Sequence, residues 1–133
     1  MEKNIRLLGF KVNKIEFKTN DGIKPNTQFK IIPKIECKMG RKEENLFVNL
    51  SVRVNEDISS PVPFNLEVAL FGTFKVINEV EQKEMVSEAM ETLYPHLRAT
   101  VASITANCYI PPYVLPLLSG NGIEENKDNY NVN

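Results

Sequence analysis

The sequence LYPHLRATVASITANCYIPPYVLPLL, residues 93–118, decides the fold that we expect for this chain. Its first part can form a helix, because proline is tolerated in a first helical turn and nothing between Pro95 and Cys108 breaks a helix. Large apolar side chains and one thiol recur at the spacing of a single helical stripe, at Leu93, Leu97, Val101, Ile104 and Cys108. This spacing predicts that the stripe packs in the core.

The opposite side of the same helix carries small residues, at Ala99, Ala102, Ser103 and Ala106. A small-residue face opposite a bulky one suggests a helix that is covered on both sides, by its own sheet and by another subunit. A solvated face chosen for helix propensity alone is the alternative. The sequence leaves both interpretations open.

The segment that follows the helix, Tyr109–Leu118, is mostly apolar and contains Pro111, Pro112 and Pro116. These prolines exclude a continuing helix and a central strand. An irregular apolar segment must lie on other apolar surface or expose a patch. The segment is therefore expected either to seal the end of the core or to form one wall of an apolar groove.

Four upstream segments alternate apolar and polar residues and are predicted strands: Gly9–Thr19, Thr27–Met39, Leu46–Val54 and Phe64–Val76. A change of parity near Asn13 predicts a β-bulge. Pro33 predicts that the second strand is an edge strand or is broken in two. Sequential strands with short connections favour an antiparallel sheet, so the expected fold class is α+β.

A first helix is predicted between this sheet and Leu93. Residues Asn78 to Glu81 resemble a capping box at its start, and Pro95 is expected to separate it from the second helix by a kink or short break. Beyond residue 118 the chain is polar and is expected to be disordered. The predicted organisation is one domain, residues 1–118, and a tail, residues 119–133.

The composition limits the classes of function. The chain has 133 residues and a net charge of −1, which argues against nucleic acid as the main ligand, since phosphate binding needs a basic surface. No apolar run approaches a membrane span of roughly 20 residues, and no secretory signal is visible, so a cytoplasmic location is expected. Cys37 and Cys108 are then expected to be buried thiols.

The sequence offers little for catalysis. One histidine and two distant cysteines predict no metal site, and the absence of phosphate-binding motifs predicts no cofactor. His96 and Cys108 could act as base and nucleophile, but twelve residues on one helix separate them by about 18 Å. A pair of Cys37 with His96 is the other option for a small hydrolase. We expect that the chain is not an enzyme.

Over roughly Gly9–Leu118 the chain resembles the protein-export chaperone family SecB. LYPHLRATV (93–101) and ANCYIPPYVLP (106–116) are similar to that family's "LFPYAR" helix and "FPPLxLxP" crossover loop. FNLEVALFGTF (64–74) is similar to its fourth strand, and Pro33-x-Ile35-x-Cys37 fits its second strand more loosely.

The resemblance implies a four-stranded antiparallel sheet with a long helix packed on it, assembled into a homotetramer as a dimer of dimers. Ala99, Ala102 and Ala106 would then lie at the oligomer interface. It also implies ATP-independent holding of unfolded or precursor polypeptides for protein export. The groove that holds them would be lined by Ile31, Tyr109, Ile110, Pro111, Tyr113 and Leu115.

Two features depart from the family. Glu67 matches an acidic position that docks the translocation motor SecA, but Lys14 and Lys18 stand where acidic residues are usual. The last helix of the family is short or lost, because Leu118 leads directly into the polar tail. These departures favour a SecB-like holdase over a partner of SecA. The alternatives are a dedicated chaperone of an antitoxin, and a structural or adaptor oligomer without a client groove.

Overall fold

The computed structural model describes residues 3–21, 28–55, 62–119, 122–123 and 130–131. Five strands precede one long helix: β1 (Ile5–Thr19), β2 (Gln28–Phe29), β3 (Lys34–Lys42), β4 (Asn45–Val54), β5 (Phe64–Val76) and α1 (Gln82–Asn107). Four of the strands form an antiparallel sheet in the order β1-β5-β4-β3. The predicted α+β fold, a four-stranded sheet with a long helix packed on it, is confirmed.

The core lies between the sheet and α1. Alternate residues of β4 and β5 face the helix and are buried, from Leu46 to Val54 and from Phe64 to Val76. The helix contributes Met85, Ala89, Leu93, Leu97 and Val101, all 3 % exposed or less. Each fully buried large side chain stabilises the fold by about 1.5–3 kcal/mol. The alternating apolar residues of the strands therefore pack against the apolar stripe of the helix in one core.

Two strand predictions hold in detail. The pairing of β1 with β5 shifts register between Val12 and Lys14, which confirms the bulge near Asn13, and a second shift lies between Leu7 and Gly9. The break at Pro33 is also confirmed, because β2 ends at Phe29 and β3 begins at Lys34 as an edge strand. Both interpretations of that proline therefore apply.

The prediction of two helices separated at Pro95 is wrong. Helix α1 is continuous, with Pro95 in its interior and Glu81 as N-cap without a side-chain capping bond, so the capping box at Asn78 is also wrong. An interior proline costs about 3 kcal/mol, because it removes one backbone hydrogen bond. Leu93 and Leu97, on either side of it, are fully buried on the sheet. Their packing outweighs the local preference.

The apolar stripe of the helix is confirmed at Leu93, Leu97 and Val101, which are fully buried, whereas Ile104 is half-buried. Cys108 was expected to continue the stripe but is exposed at the C-cap. Thr105 takes its place, because it continues the spacing of four from Val101 and is fully buried.

Gly72 of β5 lets the helix approach the sheet closely. A Cβ atom at this position would lie 3.1 and 3.2 Å from the two Cδ atoms of Leu93. These distances are tighter than nearly all natural Cβ contacts. A side chain at this position would therefore require Leu93 to move by a few tenths of an ångström, so the close approach of the helix, rather than a turn, favours glycine.

Most of the predicted tail lies outside the described residues. The described parts are paired backbone: β6 (Leu118–Ser119) with β7 (Gly122–Ile123), and β8 (Tyr130–Asn131) with β2. Disorder in the remainder, and the boundary at residue 118, stay predictions. Among the described residues, no helix follows α1.

A crossover segment tied to the helix

The apolar segment after α1, residues 109–117, is named here the crossover segment. It has no regular secondary structure and runs back antiparallel along the second half of the helix. Three side chains of α1 hold its backbone, because Thr105 bonds Tyr113, Arg98 bonds Leu115 and Tyr94 bonds Pro116. The segment is therefore held to the helix by hydrogen bonds at three successive positions and not by apolar packing alone.

Thr105 is the innermost of these anchors. Its hydroxyl oxygen accepts the backbone N–H of Tyr113 at 2.8 Å, and its own proton is donated to the carbonyl of Val101 at 3.0 Å. A buried N–H without a partner would be costly, so this one oxygen satisfies a group that an irregular segment leaves open. Thr105 thus couples the last turns of α1 to the crossover segment.

The outer two anchors, Arg98 and Tyr94, each have an apolar side-chain stem or ring that ends in a polar group. Arg98 donates its Nε–H to the carbonyl of Leu115 at 3.0 Å. The phenol of Tyr94 donates to the carbonyl of Pro116. Burial raises the pKa of Tyr94 to about 12, against a smaller opposing effect of the Arg98 charge. The phenol therefore keeps its proton, and with it this hydrogen bond, at all ordinary pH values.

The inner side of the crossover segment closes the core. Tyr113 and Leu115 are 2 % exposed or less. The Tyr113 ring packs against Phe64 at 5.8 Å between centroids, and Phe64 stacks on Phe17 of β1 at 5.6 Å. Burial raises the pKa of Tyr113 further than that of Tyr94. The sealing interpretation of the segment is therefore correct for this side.

The outer side of the same segment is apolar and exposed. Tyr109 is 98 % exposed, Val114 50 % and Leu117 54 %. Tyr109 adopts a left-handed backbone with φ of 59° immediately after the C-cap, a position where glycine is usual. This conformation costs a tyrosine about 1–2 kcal/mol, and the side chain gains almost no packing in return. The chain therefore holds an aromatic ring in solvent at an energetic cost.

The six groove residues implied by the resemblance divide between these two sides. Ile31, Tyr113 and Leu115 are buried in the core of the chain itself, Ile110 and Pro111 are half-buried, and Tyr109 is exposed. The structure thus brings them to one end of the sheet, with half of them beneath the surface. Client contact by any of the six stays a prediction.

A second apolar surface lies on β1. Phe10, Val12 and Ile15 pair with Gly72, Leu70 and Val68 of β5, so they are on the helix side of the sheet. They are nevertheless 40–51 % exposed, because α1 covers β4 and β5 more fully than β1. The Phe10 ring packs on His96 of α1 at 4.4 Å. Phe10, Val12 and Ile15 are named here the β1 strip.

The small-residue face of α1 is open in the single chain. Ala99 and Ala106 are exposed, and Ala102 is half-buried. Helical spacing places Ala99 and Ala106 in line with His96, the residue that packs on Phe10. The small face and the β1 strip are therefore neighbours.

Glu67 lies on the other face of the sheet, turned away from α1. Its carboxylate is 2.9 Å from the ammonium of Lys14 and 3.2 Å from the guanidinium of Arg53. The hydrogen bond from Lys14, followed by the charge of Arg53, holds the pKa of Glu67 below its usual range. Two cations thus already engage the predicted partner-binding residue.

The two thiols differ in exposure, because Cys37 is half-buried and Cys108 is exposed. Burial raises the pKa of Cys37, which reduces its thiolate fraction. The unbroken helix keeps Cys108 about 18 Å from His96, too far for direct proton transfer.

Within the described residues, no three histidine, cysteine or acidic side chains lie together as a metal site would require. The described helix is also too polar to cross a membrane.

Sequence reasoning missed the anchors Tyr94, Arg98 and Thr105. A polar residue that continues an apolar stripe was the available signal for Thr105. For Tyr94 and Arg98 no signal exists in the sequence alone, since their partners are backbone carbonyls whose position depends on the path of the crossover segment.

Comparison with known proteins agrees with this architecture. A SecB-like chaperone of Mycobacterium tuberculosis, solved in complex with a ChAD peptide from the HigA1 antitoxin, aligns with a TM-score of 0.68 over 87 % of this chain and 91 % of that one, at 15 % identity. This chain has the fold of that SecB-like chaperone. The similarity at this identity concerns the fold.

Other matches are less informative. An uncharacterized protein of Methanocaldococcus jannaschii is 27 % identical over 92 % of this chain and 83 % of its own length. A Streptococcus agalactiae protein of unknown function aligns with a TM-score of 0.48 at 13 % identity, over 85 % of this chain and 97 % of that one. No family model matches the sequence.

Proposed function

We propose that this chain is an ATP-independent chaperone that holds non-native polypeptide on the exposed side of the crossover segment. The observation that carries the proposal is the crossover segment, whose backbone is held by side chains of α1. One side of it is buried, and the other side exposes Tyr109, Val114 and Leu117. Such a surface binds apolar side chains without reading a sequence. Because its backbone is fixed beforehand, a client does not have to order it on binding.

The affinity expected from one segment is modest. Full burial of a large apolar side chain contributes about 1.5–3 kcal/mol, and half-exposed side chains contribute roughly half of that. The fully exposed Tyr109 and the half-exposed Val114 and Leu117 together supply on the order of 3–6 kcal/mol before the ordering cost of the client. Useful holding therefore requires several such surfaces, which an oligomer provides by multivalency.

A second copy of the chain is the proposed cover of the β1 strip and the small-residue face. Phe10, Val12 and Ile15 lie on the helix side of β1 and are 40–51 % exposed, so a second chain would bury apolar side chains there. Ala99, Ala102 and Ala106 allow close approach of another helix. The homotetramer implied by the resemblance would be built on this surface.

Among clients, a dedicated antitoxin is the second candidate. It is favoured by the structural neighbour, which binds a peptide of an antitoxin. A general role in protein export with SecA receives less support, because Lys14 and Arg53 already occupy the carboxylate of Glu67. Affinity capture from the native cell followed by mass spectrometry would separate one dominant client from many precursors.

The direct test is an aggregation assay with a chemically denatured client and no nucleotide. Stoichiometric protein should delay aggregation. Replacing Tyr109, Val114 and Leu117 together by Ser should weaken client binding roughly a hundredfold, from about 1 kcal/mol at each position. Ile77→Ser is the matched control, because Ile77 is also apolar and exposed but lies at the end of β5. Equal holding by the triple variant and the control would refute the proposed surface.

A further inference from the structure

The face of the sheet that is turned away from α1 is strongly basic. The pairing register places nine cationic side chains on it and three acidic ones: Arg6, Lys11, Lys14, Lys18, Lys34, Lys38, Lys42, Arg53 and Lys75 against Glu16, Glu36 and Glu67. The chain as a whole carries a net charge of −1. Folding therefore gathers positive charge that the composition does not reveal.

The charge is concentrated at one end of this face. Glu16, Glu36 and Glu67 lie towards the other end, where Lys14 and Arg53 pair with Glu67. The remaining part, named here the basic end, contains five cations: Arg6, Lys11, Lys38, Lys42 and Lys75. All five are exposed, and none forms an ion pair with another described residue. Glu36 lies one cross-strand row beyond Lys38, and Glu43 and Glu44 belong to the turn that follows Lys42.

Two aromatic rings lie at the centre of the basic end. Phe47 of β4 and Phe71 of β5 are half-buried, with ring centroids 6.1 Å apart and planes inclined by 19°. On the edge strands Gly9 and Gly40 stand in the same cross-strand row as Phe47, and a Cβ atom at either would meet open space. The rings are therefore flanked by bare backbone and surrounded by cations.

We infer that the basic end binds single-stranded nucleic acid. A polyanion complements five exposed cations that form no ion pair with another described residue. Paired aromatic rings on the two central strands provide a platform on which bases stack, and such stacking tolerates any sequence because every base has a flat face. An acidic polypeptide would satisfy the cations but would have no comparable use for the two rings.

The inference is independent of the proposed holding of clients, because the basic end and the crossover segment are on opposite sides of the sheet. The charge argument from composition concerned the whole chain. The site is local, and the acidic residues that balance it lie elsewhere, among them Glu84, Glu88 and Glu91 of α1.

The test is fluorescence anisotropy with a labelled single-stranded oligonucleotide of about twelve mixed-sequence nucleotides, titrated at several salt concentrations. If all five cations each neutralise one phosphate, the logarithm of the association constant should fall with that of salt with a slope of about −3.5. The double variant Lys11→Gln/Lys38→Gln should reduce the slope by about 1.4. The control pair Lys30→Gln/Lys83→Gln changes the same charge on exposed residues between β2 and β3 and in the first turn of α1, and it should leave the slope unchanged.

Phe71→Leu tests the platform separately. It should weaken binding roughly tenfold without altering the salt slope, because it removes stacking and no charge. The inference is overturned if the wild-type protein does not bind the oligonucleotide at 50 mM salt, or if both lysine pairs weaken it equally. Tighter binding of polyglutamate than of the oligonucleotide also overturns it and assigns the face to an acidic polypeptide.

Discussion

Thr105→Val isolates the bond that ties the crossover segment to the helix. Valine has nearly the same shape as threonine, and the site is fully buried, so packing is largely retained. The substitution removes the acceptor of the Tyr113 backbone N–H, whose present distance to the hydroxyl oxygen is 2.8 Å. The carbonyl of Val101, which receives the hydroxyl proton, keeps its place in the backbone ladder of the helix.

The expected cost is that of a buried donor without a partner, about 1–3 kcal/mol in the free energy of unfolding. Urea denaturation at fixed protein concentration measures this cost, since assembly would otherwise shift the apparent stability. Amide hydrogen exchange at Tyr113 supplies a local measurement. Its rate should increase by the factor that corresponds to the same loss of free energy.

Thr100→Val is the matched control. Thr100 makes the same bond to the carbonyl four residues earlier, to His96 at 2.8 Å, and accepts none in the described part of the chain. It should change stability by less than about 0.5 kcal/mol. If the two variants are equally stable, or if exchange at Tyr113 is unaltered in Thr105→Val, the segment is not held in the way described above.

Three further predictions concern other parts of the molecule. Tyr109→Gly should raise stability by about 1 kcal/mol, because it relieves the left-handed backbone, yet lower client holding; urea denaturation and the aggregation assay should thus move in opposite directions. The neutral Tyr94 phenol stabilises the fold fully below pH 10 and loses this effect as pH rises towards its pKa of about 12, so Tyr94→Phe should flatten the alkaline part of the stability curve. Ala102→Arg should dissociate the proposed oligomer, and an unchanged native mass in solution would show that the alanine face is solvated.

The regular parts of the fold were predictable because they rest on side-chain periodicity. The alternation of Leu46–Val54 and Phe64–Val76, and the parity change near Asn13, specify strands and a bulge without knowledge of any neighbour. Pro95 led to a wrong prediction of a helix break, because the effect of a proline is not determined by the local sequence. Its effect on a helix depends on how strongly the flanking leucines are packed, which only the assembled core determines.

The candidate sites were predictable only in part. The apolar and proline content of residues 109–117 indicated a cover, but which side chains face inward depends on the register that Thr105 and Arg98 impose. The basic end was hidden by a balanced composition, because its five cations come from three strands that are separate in the sequence. Phe47 and Phe71 become neighbours only through the pairing of β4 with β5.

The bond between Thr105 and Tyr113 also fixes the phase of the crossover segment. From Tyr113 to Leu115 the side chains alternate between interior and solvent, starting from that single point of attachment. If one residue is inserted between Cys108 and Tyr113, the turn at Tyr109 can take up the extra residue and leave the attachment of Tyr113 unchanged. If the turn does not take it up, the residues after it shift by one position, and Val114 and Leu115 exchange their buried and exposed places. Length changes in that turn should therefore be tolerated far better than any beyond it.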